Sequence, residues 1–448
     1  MKAGRRREIL TPAEMYRADA LAVAQGASEE SLIECAGLAV AEEIVRRFGA
    51  RRTMVLCGPG NNGKDGRVAA RYLQLWGWSV EIGDDVSKAE LIIDALYGAG
   101  LNREFPKDIA DRVNSSGVPV ISIDVPSGLD GLTGLPRGSS IRADITITFV
   151  RKKPAHVLYP GRDLCGEVVV ADIGIGDDIV AAINPQLREN SKPELPSQSA
   201  ETHKFKKGHA LVWSGGEFST GAARLAAQAA LKSGAGLVSL VGDEEALRIH
   251  AAHVSAVMLK PVKEFPALLK DARSAAVCIG PGAGISAKTR AAVLAALRSK
   301  AAILLDADAL TSFEDTPHTL FKAISGRIGE TVLTPHEGEF LRLFRDMTDI
   351  SVNKVERARV AAKRSGAVVL LKGPDTVIAH PDGRAVVNSN GSAKLATAGS
   401  GDVLAGIITG LLAQGMDGFQ AACVGAWLHA DAANNIERPT AEDLVAAL

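Results

Sequence analysis

Aromatic side chains are scarce in this chain, at 4% of residues, and only five cysteines occur among its 448 residues. Cys35, Cys57, Cys165, Cys278 and Cys423 stand far apart, with no Cys-x-x-Cys pair. That spacing argues against a zinc site or a disulfide frame and predicts reduced, individually buried thiols. No uncharged apolar run is long enough to cross a bilayer. Arg5-Arg6-Arg7 imitates the start of a secretory signal, but no apolar segment follows it. A cytoplasmic protein is expected, with no membrane partner. An excess of charge is missing too. With 51 basic and 52 acidic side chains the net charge is -1, so nothing draws the chain to nucleic acid in general. Short-period repeats and low-complexity blocks are also absent.

What is present is length, glycine and apolar runs. A chain of this length exceeds one compact core and predicts two domains. Its 45 glycines point to many tight strand-to-helix turns. Residues 11–48 read as mostly helical, with Thr11 as N-cap, Pro12 at the first helical position and Glu14 completing a capping box. Strand-like runs follow at 53–57, 91–93, 118–123, 145–149 and 168–170, with a helix over 66–76. Nearly continuous apolar runs are the mark of strands buried on both faces of a parallel sheet. A polar stretch containing Pro185, Pro193 and Pro196 reads as a linker. Beyond it, strands are predicted at 210–213, 237–241, 276–279, 302–305, 332–333 and 368–371. Helices are predicted at 221–232, 401–414 and 419–434. The expected architecture is two α/β domains in series, at 1–183 and 203–448, joined by a linker over 184–202.

Gly58-Pro59-Gly60-Asn61-Asn62-Gly63 follows the first predicted strand and fits G-x-G-x-x-G. Such a turn offers backbone N–H groups at a helix start, where a phosphate can sit. Alone it also fits a Gly-rich connection with no ligand, or a dinucleotide turn with Glu81 or Asp84 holding a ribose. Two further strands end in carboxylates, Asp94 in Asp94-Ala95-Leu96-Tyr97-Gly98 and Asp124 in Asp124-Val125-Pro126-Ser127-Gly128. Three polar turns at strand ends of one open sheet favour a shared crevice over three unrelated helix caps. These segments, with Leu10-Thr11-Pro12-Ala13-Glu14-Met15 and Glu34-Cys35-Ala36-Gly37, resemble the NAD(P)H-hydrate epimerase family over residues 9–180. The resemblance implies a Rossmann-like doubly wound fold. It implies that Asn61-Asn62-Gly63-Lys64-Asp65, Gly98-Ala99-Gly100-Leu101-Asn102-Arg103-Glu104 and Asp124 bind the hydrated nucleotide, with Asp124 also in proton transfer. It further implies that Asn62, Asp94 and Ser127 ligate K+, and an all-oxygen donor set suits a hard monovalent cation. Two places depart from the family pattern. Lys64 stands where the family has glycine, which predicts strain if that position has positive φ, or added charge for an anion. The stretch from Trp78 to Leu91 is short, which predicts a missing helix or strand.

The densest motif lies near the C-terminus, at Leu395-Ala396-Thr397-Ala398-Gly399-Ser400-Gly401-Asp402. Gly399 and Gly401 allow successive N–H groups to form an anion hole at a helix start. Asp402 beside it can accept a proton from a hydroxyl attacking phosphorus. A Gly-rich helix cap explains the string equally well when it is taken alone. Four more polar turns follow predicted strands: Gly280-Pro281-Gly282-Ala283-Gly284, Asp306-Ala307-Asp308-Ala309-Leu310, Thr334-Pro335-His336-Glu337-Gly338-Glu339 and Lys372-Gly373-Pro374-Asp375-Thr376. With Gly215-Gly216, Thr220-Gly221-Ala222-Ala223 and Ser233-Gly234-Ala235-Gly236-Leu237-Val238, they resemble the ADP-dependent NAD(P)H-hydrate dehydratases of the ribokinase-like superfamily over about 203–418. The resemblance implies that Ala222, Gly282 and His336-Glu337-Gly338-Glu339-Phe340-Leu341-Arg342 contact the hydrate. It assigns ADP to Lys372-Gly373-Pro374-Asp375-Thr376 and to Ser392-Ala393-Lys394-Leu395-Ala396-Thr397-Ala398-Gly399-Ser400-Gly401, with Asp402 as catalytic base touching the hydrate.

Together the two resemblances imply nicotinamide nucleotide repair. (R)-NAD(P)H-hydrate is epimerised to S, and the S form is dehydrated with ADP as co-substrate, giving NADH or NADPH, AMP and phosphate. Mg2+ is the expected companion of the ADP phosphates, and a homo-oligomer is expected. Two other readings stay open at this point: a ribokinase-like small-molecule kinase whose first domain only binds a dinucleotide, and a dinucleotide-dependent oxidoreductase.

Overall fold

The structure is a computed structural model and describes residues 7–193, 207–349 and 353–448. The chain forms two compact units, Met1–Glu189 and Asn190–Leu448.

Helices Pro12–Ala24 and Glu29–Arg47 open the first unit. The capping box forms as the sequence predicts. Thr11 Oγ1 accepts from the Glu14 N–H at 3.2 Å, and the Glu14 carboxylate accepts from the Thr11 N–H at 2.8 Å. The sheet follows: β1 Thr53–Cys57, β2 Val80–Ile82, β3 Leu91–Ala95, β4 Val120–Ile123, β5 Ile145–Phe149 and β6 Glu167–Ala171. They lie in the order β2-β1-β3-β4-β5-β6, every neighbouring pair parallel. The order reverses at β1, so the crevice beyond the carboxyl ends of β1 and β3 is where a ligand belongs in such a sheet.

Three expected features take their observed form here. The helix after the Gly-rich turn spans Asn61–Leu75, five residues ahead of its predicted start, so the Asn-Asn-Gly segment is its first turn and not a loop. The short 78–91 stretch does contain a strand, β2, and passes to β3 through turns without a helix. The expected linker opens with β7, Leu187–Glu189. Leu187 accepts from the Ile9 N–H at 3.0 Å, and Glu189 donates to Arg7 O at 2.8 Å, which places these residues in the first unit. Residues 194–202 of that linker lie outside the described residues, as do 203–206, where the second domain was expected to begin, and Arg5 and Arg6. All five cysteines are free, but only Cys165 and Cys278 are buried and Cys35 is exposed, so individual burial holds for two of them. Among the described residues no helix is long and apolar enough to cross a membrane.

The second unit's sheet contains β8 His209–Trp213, β9 Leu237–Gly242, β10 Met258–Pro261, β11 Ser274–Ile279, β12 Ala302–Leu305, β13 Thr331–Leu333, β14 Val368–Leu371, β15 Thr376–Ala379 and β16 Ala385–Asn388. Their order is β10-β9-β8-β11-β12-β13-β14-β15-β16. The pairs through β14 are parallel, and β14, β15 and β16 form an antiparallel meander. The reversal here falls at β8, between β9 and β11. Helix Ser400–Ala413 is apolar on every face and buried along almost its whole length, as expected of a helix inside a core. It lies tight against helix Thr220–Lys232. A Cβ on Gly406 would sit 2.2 Å from Ala226 O, and one on Gly410 2.4 Å from Ala230 O. Small residues on both helices thus set the distance between Ala222 and Asp402, which these helices carry.

Candidate active sites

In the first unit a cavity of about 650 Å³ opens at the carboxyl ends of β1, β3 and β4, within the usual range for a small-molecule site. Asn61, Asn62, Asp65, the 98–103 stretch and Asp124 all line it. Gly63, Lys64 and Glu104 are not part of its lining. Gly63 has a packing reason to be glycine, since a Cβ there would lie 1.9 Å from Gly58 O. Lys64 sits on the exposed side of the helix, its ammonium 3.4 Å from Glu29. Its backbone is helical, so the strain expected of a non-glycine residue does not arise.

Asp124 follows β4 with φ +65°, a conformation an aspartate holds only when its surroundings impose it. The surroundings do. Lys153, almost wholly buried, places its ammonium 2.9 Å from Asp124 Oδ1. The Ala99 N–H donates to Oδ2 at 2.8 Å and the Thr148 hydroxyl to Oδ1 at 3.1 Å. His156 fixes the main chain. Its Nδ1 accepts from the Lys153 N–H at 2.8 Å, which leaves the proton on Nε2 to be donated to Asp124 O at 2.8 Å. Burial holds His156 neutral, with its pKa pushed down to about 3. Burial alone would raise the Asp124 pKa, but the Lys153 charge and the Ala99 N–H outweigh it and hold the carboxyl below its usual range. Two other carboxylates of the cavity move the opposite way. Burial, with Asp124 adding to it, raises Asp65 to about 8, and burial raises Asp19 to about 6. Lys153, His156 and Asp19 escaped the sequence reading. Arg151-Lys152-Lys153 looks like a solvated charge run, yet Arg151 and Lys153 are buried.

Below this floor Asp94 is fully buried and accepts from Ser127 Oγ at 2.5 Å, Ser127 N at 2.8 Å and Ser122 Oγ at 2.9 Å. Burial raises its pKa, while the hydrogen bonds from Ser127, Ser122 and Leu96 pull the other way. Nearby, the Asn62 amide nitrogen is buried without a hydrogen-bond partner. Since amide O and N are assigned from their partners, rotating that amide would present oxygen there instead. A fully buried carboxylate, serine hydroxyls and an unsatisfied amide form an oxygen-rich set that fits a monovalent cation.

In the second unit the turns after β8, β11, β12, β13 and β14 and the start of helix Ser400–Ala413 form one connected group. Ser219 Oγ donates to Gly282 O at 2.9 Å, bringing the Ala222 helix to the β11 turn. Gly280, with φ +142°, lies so close to Asp306 O that a Cβ would come within 1.8 Å. Asp306 accepts from Thr334 Oγ1 at 2.9 Å and from the Lys372 ammonium at 2.7 Å. Lys372 also lies 3.8 Å from Glu339, and a Cβ on Gly401 would be 3.6 Å from its Nζ. Gly399, the N-cap of the Asp402 helix, has φ +83° and makes no side-chain cap; the Ser400 N–H donates to Thr397 O at 3.3 Å, and those of Gly401 and Asp402 remain open to an anion. Asp402 is in the first turn. Burial and the neighbouring Asp306 raise its pKa to about 6, with Lys372 pulling the other way.

The remaining predicted residues divide between site and scaffold. His336 is exposed and caps helix Glu337–Leu343, Nδ1 accepting from the Gly338 N–H at 3.0 Å. Glu339 answers in a capping box, accepting from the His336 N–H at 2.8 Å. Glu337 pairs with Arg357. Phe340 is buried against Phe344, ring centroids 4.9 Å apart, so its side chain serves the core. Leu341 is half-buried, and Arg342 reaches Thr311 at 3.4 Å. Asp375 is buried and paired with Lys354 at 2.5 Å, while Gly373 and Thr376 close their own turn at 2.9 Å. Ser392 and Lys394 tie the loop before Gly399 to Asn434 at 2.9 and 3.1 Å. Among the described residues no group of three or more His, Cys, Asp or Glu side chains could hold a metal ion.

Comparison with known proteins covers both units. Residues 210–446 match the family described as NAD(P)H-hydrate dehydratase, and residues 29–88 and 78–155 match the YjeF-related protein N-terminus. The bifunctional NAD(P)H-hydrate repair enzyme of Moorella thermoacetica is 36% identical, across 96% of this chain and 92% of that protein. The enzyme of the same description from Escherichia coli is 31% identical across 86% and 81%. The ADP/ATP-dependent NAD(P)H-hydrate dehydratase of Bacillus subtilis, co-crystallized with ATP and Mg2+, is 29% identical with a TM-score of 0.50, across 56% of this chain and 91% of that one. A ribokinase-like superfamily protein from Enterococcus faecalis shares the fold at 24% identity and TM-score 0.50, across 59% and 94%.

Proposed function

This chain belongs to the bifunctional NAD(P)H-hydrate repair enzyme family, and from that premise we propose that its second unit dehydrates (S)-NAD(P)H-hydrate with ADP while its first unit converts the R form to S. The observation that carries the first half is Asp402 at an uncapped helix start, beside the Lys372–Asp306 pair. Ionised Asp402 takes the proton of the C6 hydroxyl, whose oxygen attacks the β-phosphorus of ADP and releases AMP. The open N–H groups at Gly401 and Asp402 and the Lys372 ammonium face the charge that develops on phosphate oxygens. The phosphate ester then leaves C6, pushed by the ring nitrogen, and loss of the C5 proton restores NADH or NADPH. Mg2+ would enter on the nucleotide's phosphates, because the described residues offer no cage of their own. A homo-oligomer is supported by Phe218 and Ile285, two exposed apolar side chains beside the Ser219–Gly282 contact. Five unpaired thiols support a cytoplasmic setting.

For the first unit the carrying observation is Asp124, kept ionised by Lys153 at the floor of the cavity. Asn62, Asp94 and Ser127 would hold K+, which when bound supplies positive charge beside an anionic substrate. The open N–H groups at Asn61 and Asn62 add partial charge of the same sign. A kinase with a stable phosphorylated product and an oxidoreductase both lose ground to relatives that match the whole chain as repair enzymes. The test is a coupled assay on mixed R and S hydrate, followed by absorbance of the reduced nicotinamide. With ADP the mixture should be consumed to completion with AMP released. Conversion that stops at the S fraction would remove the epimerase half. Accumulation of ADP from ATP, with ADP itself inert, would remove the ADP-dependent half.

A further inference from the structure

Helix Pro12–Ala24 turns one face to the first unit's cavity, through Pro12, Met15, Tyr16, Asp19 and Val23. The spacing is that of a single helical stripe, and four of its five members are apolar or aromatic. Asp19 is its only carboxylate. Tyr16, one turn earlier, reaches over the Gly98–Gly100 loop, where a Cβ on Gly100 would lie 2.2 Å from its hydroxyl. That brings the helix against the loop whose Ala99 N–H holds Asp124. Asp19 and Asp124 therefore enter the same cavity from different elements, one on an apolar wall and one on a floor carrying a buried ammonium. Inverting a carbinol centre by loss and return of water needs two such groups. One protonates the leaving oxygen, and the other takes a proton from water arriving on the opposite face. Environments that push two carboxyl groups apart in acidity divide these roles between them.

We propose that Asp19 is the general acid of the epimerase site, working with Asp124 as the general base; this rests on the epimerase reading above. Asp19 gives its proton to the C6 hydroxyl, which leaves as water while the N1 lone pair forms a C6=N1 iminium. A second water adds to C6 from the other face and passes its proton to Asp124, and solvent returns both carboxyl groups to their starting states. The electron pair lent by N1 goes back on addition, so no oxidant or reductant is needed. Burial raises the Asp19 pKa to about 6, which leaves part of it protonated near neutrality. The charged and titratable groups sharing its cavity are Tyr16, Glu29, Asp65, Tyr97, Arg103, Asp124 and Lys153.

The experiment follows purified (R)-hydrate with the full chain, separating epimers by chromatography in H2-18O. The unmutated protein should put one solvent oxygen at C6 per inversion. Asp19→Asn should lower the epimerase kcat about 10²-fold or more with little change in KM, and should flatten the fall in rate at alkaline pH. Asp19→Glu should restore much of the rate, and neither change should alter dehydration of the S form. Thermal melting shows whether Asp19→Asn still folds, and Asp19→Glu supplies the reading if it does not. Inversion by Asp19→Asn at near-normal rate overturns the assignment of Asp19 alone, as does inversion without solvent oxygen. A folded, unmutated protein that never inverts the R form overturns the epimerase reading and Asp19 with it.

Discussion

The two units solve proton transfer in opposite ways. In the first, the base sits at the floor of a walled cavity and is made ionic by contact: Lys153 lies 2.9 Å from Asp124 and holds its carboxyl low. In the second, no ammonium among the described residues pairs with Asp402. Lys372, whose charge acts on Asp402, is bonded to Asp306 at 2.7 Å, and Asp402 is left with a pKa of about 6. The difference suits the substrates each handles. A carbinol inverted by water needs a base that stays charged whatever enters. A base beside incoming ADP must share its surroundings with phosphate charge, and a lysine spent on Asp306 can turn toward that charge without neutralising the base.

The largest effects should separate the units cleanly. Asp402→Asn should cut dehydration by roughly 10²–10⁴-fold and leave R-to-S inversion untouched. Asp124→Ala should abolish the R-dependent phase and leave the S-dependent burst intact. The Asp124→Ala result is read from the absorbance of reduced nicotinamide on mixed epimers, and inversion in Asp402→Asn from chromatographic separation of the epimers. An Asp124→Ala trace with a slowed S-dependent burst, or an Asp402→Asn protein that no longer interconverts the epimers, would show that the sites are not independent. Lys153→Met comes next. It strands Asp124 without its partner, a change that for buried pairs costs about 3–5 kcal/mol. Calorimetry should show lower stability for the first unit, and any folded fraction should have an Asp124 that protonates more readily. Epimerase activity should then be lost from the acidic side first.

The acidity contrast itself gives a smaller effect. A carboxylate acting as base works only when ionised, so dehydration should decline about tenfold per pH unit below about 6, where Asp402 takes up its proton. Asp124 is held below the ordinary carboxylate range, so its protonation should impose no such limb near pH 6 on the epimerase. Profiles of kcat/KM for the separate epimers would show this, and coincident acid limbs would contradict it.

How much of this was legible differs between the units for the same physical reasons. Nearly continuous apolar runs marked β1, β3, β8, β11, β12 and β14, because strands covered on both faces leave few polar positions. β2, with Glu81 exposed, and β10, half-buried throughout, carry no such signal. The antiparallel β15 and β16 lie among Gly, Asp and His residues that read as loop. The start of helix Asn61–Leu75 was misjudged because Asn, Gly and Asp favour turns. Gly63 is required there not by a loop but by the carbonyl of Gly58 pressed against it. Asp402 was visible because a helix start, two glycines and an acid fall in one short string. Lys153 and His156 act through tertiary contacts with Asp124, some 30 positions away, and nothing local distinguishes them. Asp19 did leave a trace, as the one charge on an apolar helical stripe.

The smallest predicted effect concerns Lys64, the position where this chain departs most visibly from its family. If the departure had disabled the first unit, Lys64→Gly should raise the epimerase rate. The structure argues otherwise. Lys64 is in regular helix, points to solvent, and makes a single 3.4 Å contact with Glu29 at the cavity mouth. An exposed pair of that kind contributes about 0–1 kcal/mol. Glycine in a helix costs up to about 1 kcal/mol relative to better helix formers, so the substitution should leave the first unit slightly less stable. The R-dependent rate should stay close to that of the unmutated protein, with any loss greater at low ionic strength, where the Lys64 charge is least screened. A large gain in rate would place this side chain in the path of the substrate and reverse the reading of the helix start.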